Sequence, residues 1–242
     1  MKLRLMICAA AASTALFAED ATSATYAVMN VTNAYTDTVI AVPWVGLDGS
    51  TITISNLVNT TTLAEGDKLY MYNSDGTWYE YTKSGGNWTG ATTITTSGDH
   101  TAESQVVARG SGLVLQRASA GGTVFLCGRV DSSTVVSTTI VANGKTLFAN
   151  PTASDVDINT KFTSATNGDT IMIPLSNGGS DTYTFDGTKS EWGKMKKVEN
   201  GTITVGGKTI TKYKNEWEKC GSIPVGTGAW YATTGNGYTV TW

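Results

Sequence analysis

Two segments decide the fold: GDKLYMYNSDGTWYEYTKSGGNW at Gly66–Trp88 and GDTIMIPLSNGGSDTYTFDGTKSEW at Gly168–Trp192. Each opens with Gly-Asp, runs through a Tyr-x-aromatic stretch and closes on a tryptophan. Aligned at a spacing of 104 residues, the matching aromatic residues are Tyr79 and Tyr183, Tyr81 and Phe185, and Trp88 and Trp192. A similar hairpin follows each segment, ARGSGLVLQRASAGGTVFLCG in one case and PVGTGAWYATTGNGYTVTW in the other. Self-similarity at a fixed spacing indicates a repeated structural unit, so we predict a duplicated β-module.

Polar and apolar residues alternate along much of the chain, as in Lys68–Tyr72 and Tyr238–Trp242. Turn dipeptides such as Asn236-Gly237 separate these stretches, and this pattern is typical of short antiparallel strands. We therefore predict an all-β fold of two tandem, duplicated sandwich-like or barrel-like antiparallel modules. They should span residues 19–130 and 131–242, and they should pack together because no Pro-rich or charged linker separates them.

The first 18 residues have the pattern of a signal peptide. Lys2 and Arg4 precede an apolar run that is too short for a membrane span, which needs ~20 residues. We predict cleavage after Ala18, with Ala15 as the competing site, and hence a secreted or cell-surface protein with no membrane span after cleavage. A buried N-terminal helix is the alternative interpretation of the same run.

The amount and distribution of charge along the chain argue against some classes of partner. The chain has 242 residues, a formal net charge of −3 and 15% charged residues, against roughly 25% in typical soluble proteins. Its lysines and arginines are scattered along the sequence, so we expect no nucleic-acid partner and no binding to anionic lipid.

The order of motifs resembles a class of secreted bacterial proteins with tandem β-modules. In that class a proline-containing strand, a Gly-Asp strand, a Tyr…Trp hairpin and a closing Gly-x-Gly-aromatic hairpin recur. The resemblance covers nearly all of the chain after residue 18 and implies a fold, but it supplies no catalytic residue.

No set of residues fits catalysis or metal binding. His100 is the single histidine and lies in a polar loop without the nucleophile and oxyanion hole that a Ser–His–Asp site needs. Asp155–Asn159 begins like a calcium loop, but Thr160 replaces the required glycine and Thr166 stands where the bidentate glutamate belongs. The two Gly-Asp pairs are interpreted as turns. We therefore expect no enzyme activity, no catalytic residue, no cofactor and no metal.

Two cysteines, Cys127 and Cys220, remain after signal cleavage. An even pair in an exported protein is a candidate disulfide, and this one would link the two modules. Two separate buried thiols are the alternative.

The aromatic residues divide into core and surface candidates. Tyr79 and Tyr81 share one strand face and are expected in the core. Trp78 lies on the opposite face, and both Trp78 and Trp230 are candidates for stacking on sugars.

We favour a non-enzymatic structural or interaction protein that assembles with itself, with a filament as one form. The predicted assembly strand contains Tyr26, Val28 and Val31. It could pair with its own sheet or add to the open sheet edge of a neighbouring copy, and assembly would use the second arrangement. The alternative function is a carbohydrate-binding module for extracellular glycans that uses Trp78 and Trp230.

Overall fold

The structure is a computed structural model. It describes residues 26–32, 37–42, 45–46, 51–57, 63–72, 77–93, 101–102, 104–118, 123–129, 135–152, 154–175 and 179–242. The predicted signal peptide and His100 lie outside the described residues.

Strands and two one-turn helices make up the fold. We call residues 26–129 the first unit and residues 135–242 the second unit. The first unit has β1 Tyr26–Thr32, β2 Asp37–Ala41, α1 Ile54–Leu57, β3 Lys68–Tyr72, β4 Trp78–Ser84, β5 Asn87–Thr93, β6 Gly112–Gln116 and β7 Thr123–Arg129. The second unit has β8 Ser137–Ile140, β9 Lys145–Ala149, β10 Val156–Asp157, α2 Ile158–Lys161, β11 Thr170–Pro174, β12 Ser180–Asp186, β13 Glu191–Val205, β14 Lys208–Lys219, β15 Ser222–Ile223, β16 Gly228–Ala232 and β17 Tyr238–Thr241. No helix within these described stretches has the length and apolar character that crossing a membrane requires.

Each unit is built on one large sheet. The first has the strand order β2-β6-β3-β4-β5, and the second has the order β14-β13-β12-β11-β16-β9. Three two-stranded sheets, β1-β7, β17-β8 and β10-β15, complete the fold. These ladders are antiparallel, and the prediction of an all-β fold is confirmed.

Alternation along the strands builds a core in each unit. On β4 the buried positions include Tyr79 and Tyr81, which are 5% and 0% exposed, so their predicted core position is confirmed. The second unit packs a separate cluster around Trp192 and Phe162, both fully buried. Each unit therefore has its own apolar core.

Both Gly-Asp pairs form turns, as predicted. The Ala64 N–H donates to Asp67 Oδ2 at 2.9 Å, and the Thr166 N–H donates to Asp169 Oδ2 at 2.8 Å. The glycine before each aspartate has a positive φ, which a glycine adopts at little cost. Both carboxylates are buried, at 0% and 1% exposure, so each needs a strong partner.

The partners of the two buried aspartates differ. Asp67 Oδ2 lies 2.8 Å from Arg117 Nε, and the side chains of both residues are at most 7% exposed. Asp169 Oδ2 accepts a 2.6 Å hydrogen bond from the Tyr231 hydroxyl, whose pKa is raised by burial and by this bond. Asp67 is thus paired with a cation, whereas Asp169 accepts from a neutral hydroxyl group.

The cross-strand register corrects the alignment of the two segments. Tyr81 pairs with Leu69, and Tyr183 pairs with Ile171, so Tyr81 corresponds to Tyr183 and not to Phe185. The turn after β12 (residues 187–190) is two residues longer than the turn after β4 (residues 85–86). That difference moves the spacing from 102 before the turn to 104 at the closing tryptophans. Recurring contacts of this kind are what a duplication would leave, and the duplication itself stays a prediction.

The two large sheets meet at a reciprocal junction formed by β2, β6, β9 and β16. Ser111 bridges to Phe148, and Thr227 bridges to Ile40. Close approach depends on the glycines that open β6 and β16. A Cβ on Gly112 would lie 2.8 Å from Leu147 Cγ, and a Cβ on Gly228 would overlap Val39 Cγ1. The edge strands β2 and β9 therefore lie at the junction, while β5 and β14 are the opposite edges of the two sheets.

Candidate functional site

A long β-hairpin projects from the second unit. Strand β13 leaves its partner β12 after Gly193 and continues with β14 alone, from the pair Lys194–Glu218 to the pair Val205–Lys208. We call residues 194–218 the ribbon. At about 3.3 Å per residue, it is about 35 Å long. The tip is the Gly206-Gly207 turn, where both glycines have the positive φ that a two-residue hairpin requires.

The ribbon is anchored at its base by Trp217. A Cβ on Gly193 would lie 2.5 Å from the Trp217 ring, so only glycine leaves room for that ring to lie against the strand. Trp217 Nε1 donates to Glu191 Oε1 at 2.8 Å, and Lys189 Nζ lies 4.4 Å from the centre of the ring. These contacts fix the direction in which the ribbon leaves the sheet.

The distal half of the ribbon has two chemically different faces. The pairs Ile203–Ile210 and Val205–Lys208 share one face, because paired residues of an antiparallel ladder point the same way. The intervening pairs, Thr202–Thr211 and Thr204–Thr209, occupy the other face. The ribbon therefore has an aliphatic face and a threonine face, and both are in contact with solvent.

Apolar side chains are concentrated on the ribbon. Of the eight large hydrophobic residues that are exposed in the described part of the chain, the ribbon contributes five: Met195, Ile203, Val205, Ile210 and Tyr213. A concentration of exposed apolar residues of this kind is a mark of an interaction surface. Six lysines and three glutamates lie on the same segment, which gives it a formal charge of +3, while the rest of the chain carries −6.

Strand β14 also presents a free edge. It is the last strand of its sheet, and no described strand pairs with its outer side along 12 residues. Strand β5 is the outer edge of the other large sheet. An unpaired edge exposes a row of backbone N–H and C=O groups to which another strand can add.

Sequence interpretation missed the ribbon because its alternation is that of any half-buried strand. The length of its two strands was the feature of the sequence that could have revealed it. Strands in globular proteins are usually ~3–10 residues long, whereas β13 has 15 and β14 has 12, with only the Gly206-Gly207 turn between them. Lysines on both sides of that turn argued further against burial.

The predicted assembly strand is already paired within the chain. Tyr26, Val28 and Val31 lie on β1, which is hydrogen-bonded to β7 from the pair Tyr26–Arg129 to the pair Thr32–Thr123. Exchange of β1 with a neighbour would require this sheet to open. Addition of a strand to the outer side of β14 would not require any described pairing to open.

The two tryptophans predicted to stack on sugars come together in space. Trp78 is the first residue of β4 in the first unit and Trp230 lies on β16 of the second, yet their ring centres are 5.6 Å apart. Tyr72 lies between them, 4.9 Å from Trp78 and 5.3 Å from Trp230. We call these three residues the aromatic cluster. The rings are inclined to one another by 54° to 65°, so they form no flat platform.

The calcium-like segment is committed to local hydrogen bonds. Asp157 caps α2 by accepting from the Asn159 N–H at 2.8 Å, while Asp155 accepts from the Val225 N–H at 3.0 Å. Asn159 itself bridges to the Trp192 N–H and to the Cys220 carbonyl. Within the described residues, no group of three His, Cys, Asp or Glu side chains is placed to hold a metal ion.

The structure does not contain the predicted bridge between Cys127 and Cys220, because Cys220 is a free, buried thiol. Its N–H donates to the Trp192 carbonyl, and its side chain belongs to the core cluster of the second unit. Cys127 lies on β7, in the separate β1–β7 sheet of the first unit. Burial raises the pKa of the Cys220 thiol to about 12, which makes it a poor nucleophile.

Comparison with known proteins gives no relative: no protein-family model, no curated protein and no solved structure matches this chain.

Proposed function

We propose that the protein is a non-enzymatic, exported subunit that assembles with copies of itself through the ribbon and the free edge of β14. The observation that carries the proposal is the exposed aliphatic face of the ribbon, formed by Ile203, Val205 and Ile210. A surface of this kind in water favours coverage by a partner, since apolar burial contributes roughly 25 cal/mol per Å².

Charge supports a second copy as that partner. The ribbon carries +3 and the remainder of residues 19–242 carries −8, so a ribbon is attracted to the body of another copy. Two ribbons repel each other because they have the same sign. This asymmetry favours a heterologous, head-to-tail contact over a symmetric one.

We place the acceptor at the outer edge of β5. Its sequence, NWTGATT, has no charged residue to oppose an incoming strand. Pairing β14 of one copy with β5 of the next would join the two large sheets through the edge strands that lie away from the junction. Because a head-to-tail contact that does not close generates a filament, repetition of this contact would give an extended polymer.

The experiment is negative-stain electron microscopy of residues 19–242 over a concentration series. The control variant replaces residues 199–213 with Asn-Gly, which keeps Val198 and Lys214 as the last pair of a two-residue hairpin. We expect regular filaments from the parent protein and none from the shortened variant. Single particles of uniform size at every concentration of the parent, or filaments from both proteins, would refute the proposed contact.

A further inference from the structure

The side chains of the aromatic cluster are larger than those at the equivalent positions of the other unit. The register places Pro174 and Ser180 at the positions that Tyr72 and Trp78 hold in the first unit. Val114 of β6 stands where Trp230 stands on β16, since each pairs with the middle residue of its neighbouring strand. A proline, a serine and a valine thus suffice at the equivalent place, and the three large rings on this side call for another explanation.

A cavity of about 220 Å³ opens beside the cluster and shares Tyr72 with it. It lies at the junction, between residues 108–111, which directly precede β6 in the first unit, and strands β8 and β9 of the second. Pockets for drug-sized ligands span ~300–1,000 Å³. The smaller volume here matches a single small ring or a charged substituent.

The cavity is lined by hydroxyl groups and by cations. Ser111, Thr138 and Thr146 provide hydroxyls, and Arg109 and Lys145 provide positive charge, while no carboxylate is among the lining residues. Arg109 is held in place by a 3.3 Å hydrogen bond from Nη2 to the Pro151 carbonyl. Such a lining selects an anionic ligand rich in hydrogen-bonding groups.

We infer that the junction binds an acidic glycan, with an apolar sugar face against the aromatic cluster and a carboxylate in the neighbouring cavity. The three rings are only partly buried, so each keeps some surface in contact with solvent, and they are inclined to one another. Because they do not form a plane, they suit a single soluble chain and not the flat surface of a crystalline polysaccharide. The cations discriminate between a uronic acid and its neutral counterpart.

The test is calorimetric titration of residues 19–242 with oligogalacturonate, and with galacto-oligosaccharide of the same length as the neutral probe. We expect binding of the acidic probe that weakens with added salt. The neutral probe should bind at least about tenfold more weakly, since it lacks the charge-assisted hydrogen bonds.

Two variants locate the site, and a third controls for the loss of a tryptophan. Trp78→Ala removes a ring of the cluster, and Lys145→Gln removes an exposed cation without disturbing the core. Each should weaken oligogalacturonate binding about tenfold, whereas Trp217→Phe at the ribbon base should leave it unchanged. If Trp78→Ala fails to fold, Lys145→Gln decides the matter.

Three results would overturn the inference. They are no binding of oligogalacturonate, equal binding of both probes, and an unchanged affinity in Lys145→Gln. Loss of filaments in the ribbon-shortened variant has no bearing on this site, because none of its residues lies on the ribbon.

Discussion

The aliphatic face of the ribbon makes a quantitative prediction about assembly. The change is the triple substitution Ile203→Thr, Val205→Thr and Ile210→Thr. Threonine is β-branched and favours strands, so the hairpin should persist. The three side chains are exposed by 36%, 59% and 49%, and little intramolecular packing is lost when they are shortened.

The size of the effect follows from those exposures. Full burial of a Val or Ile side chain contributes about 1.5–3 kcal/mol, so covering roughly half of each of the three contributes about 2–4 kcal/mol in total. Threonine keeps one methyl group of each side chain, and we expect about half of that stabilisation to disappear. A loss of about 1–2 kcal/mol corresponds to an association constant about 5- to 30-fold weaker.

Sedimentation equilibrium over a concentration series measures this change. The matched control is Thr202→Ser, Thr204→Ser and Thr209→Ser, which trims methyl groups from the opposite face and should leave association within about twofold. Circular dichroism verifies that both variants keep their strands. Equal weakening by the two triple variants would refute the assignment of the contact to the aliphatic face, as would unchanged association in the first.

Three further predictions concern the fold. Asp67→Asn leaves Arg117 buried without its counter-charge, so we expect the free energy of unfolding to fall by about 3–5 kcal/mol in urea titration; an unchanged midpoint would contradict the buried pair. Gly112→Ala forces a Cβ against the junction and should cost about 1–3 kcal/mol, whereas Gly221→Ala, which has no neighbouring atom within 4 Å, should not; equal melting temperatures of the two variants would count against a tight junction. Burial raises the pKa of Tyr238 from 10.0 to about 12, so its contribution to stability is complete below pH 10 and is lost as the pH rises towards 12; the urea midpoint should fall less steeply with alkaline pH in Tyr238→Phe, and parallel curves would oppose this.

Local alternation was sufficient to predict the strands and much of the core. Tyr81 is a clear case, because its spacing from Tyr79 places both on one face and the structure buries both. Alternation could not settle the register between the two segments. Aromatic residues two positions apart lie on the same face, so a shift of two residues leaves the pattern unchanged, and only the pairing of Tyr183 with Ile171 resolves it.

The candidate functional surfaces could not be predicted from local sequence patterns, because they depend on tertiary contacts. Trp78 and Trp230 were each identified as surface candidates, but their contact comes from the junction of two sheets far apart in sequence. The ribbon was missed for a different reason. A strand that leaves its sheet has the same period-two pattern as one that stays, and burial separates the two cases only when tertiary neighbours are known.

Hydrogen–deuterium exchange of residues 19–242 tests the proposed edge contact most directly. Exchange is compared at a dilution where the protein is monomeric and at a concentration where it assembles. We expect amides of Lys208–Lys219 and Asn87–Thr93 to become protected on assembly, because the free edges of β14 and β5 would pair, while the buried strand β11 changes little. Assembly without added protection in either segment would contradict pairing between these two edges.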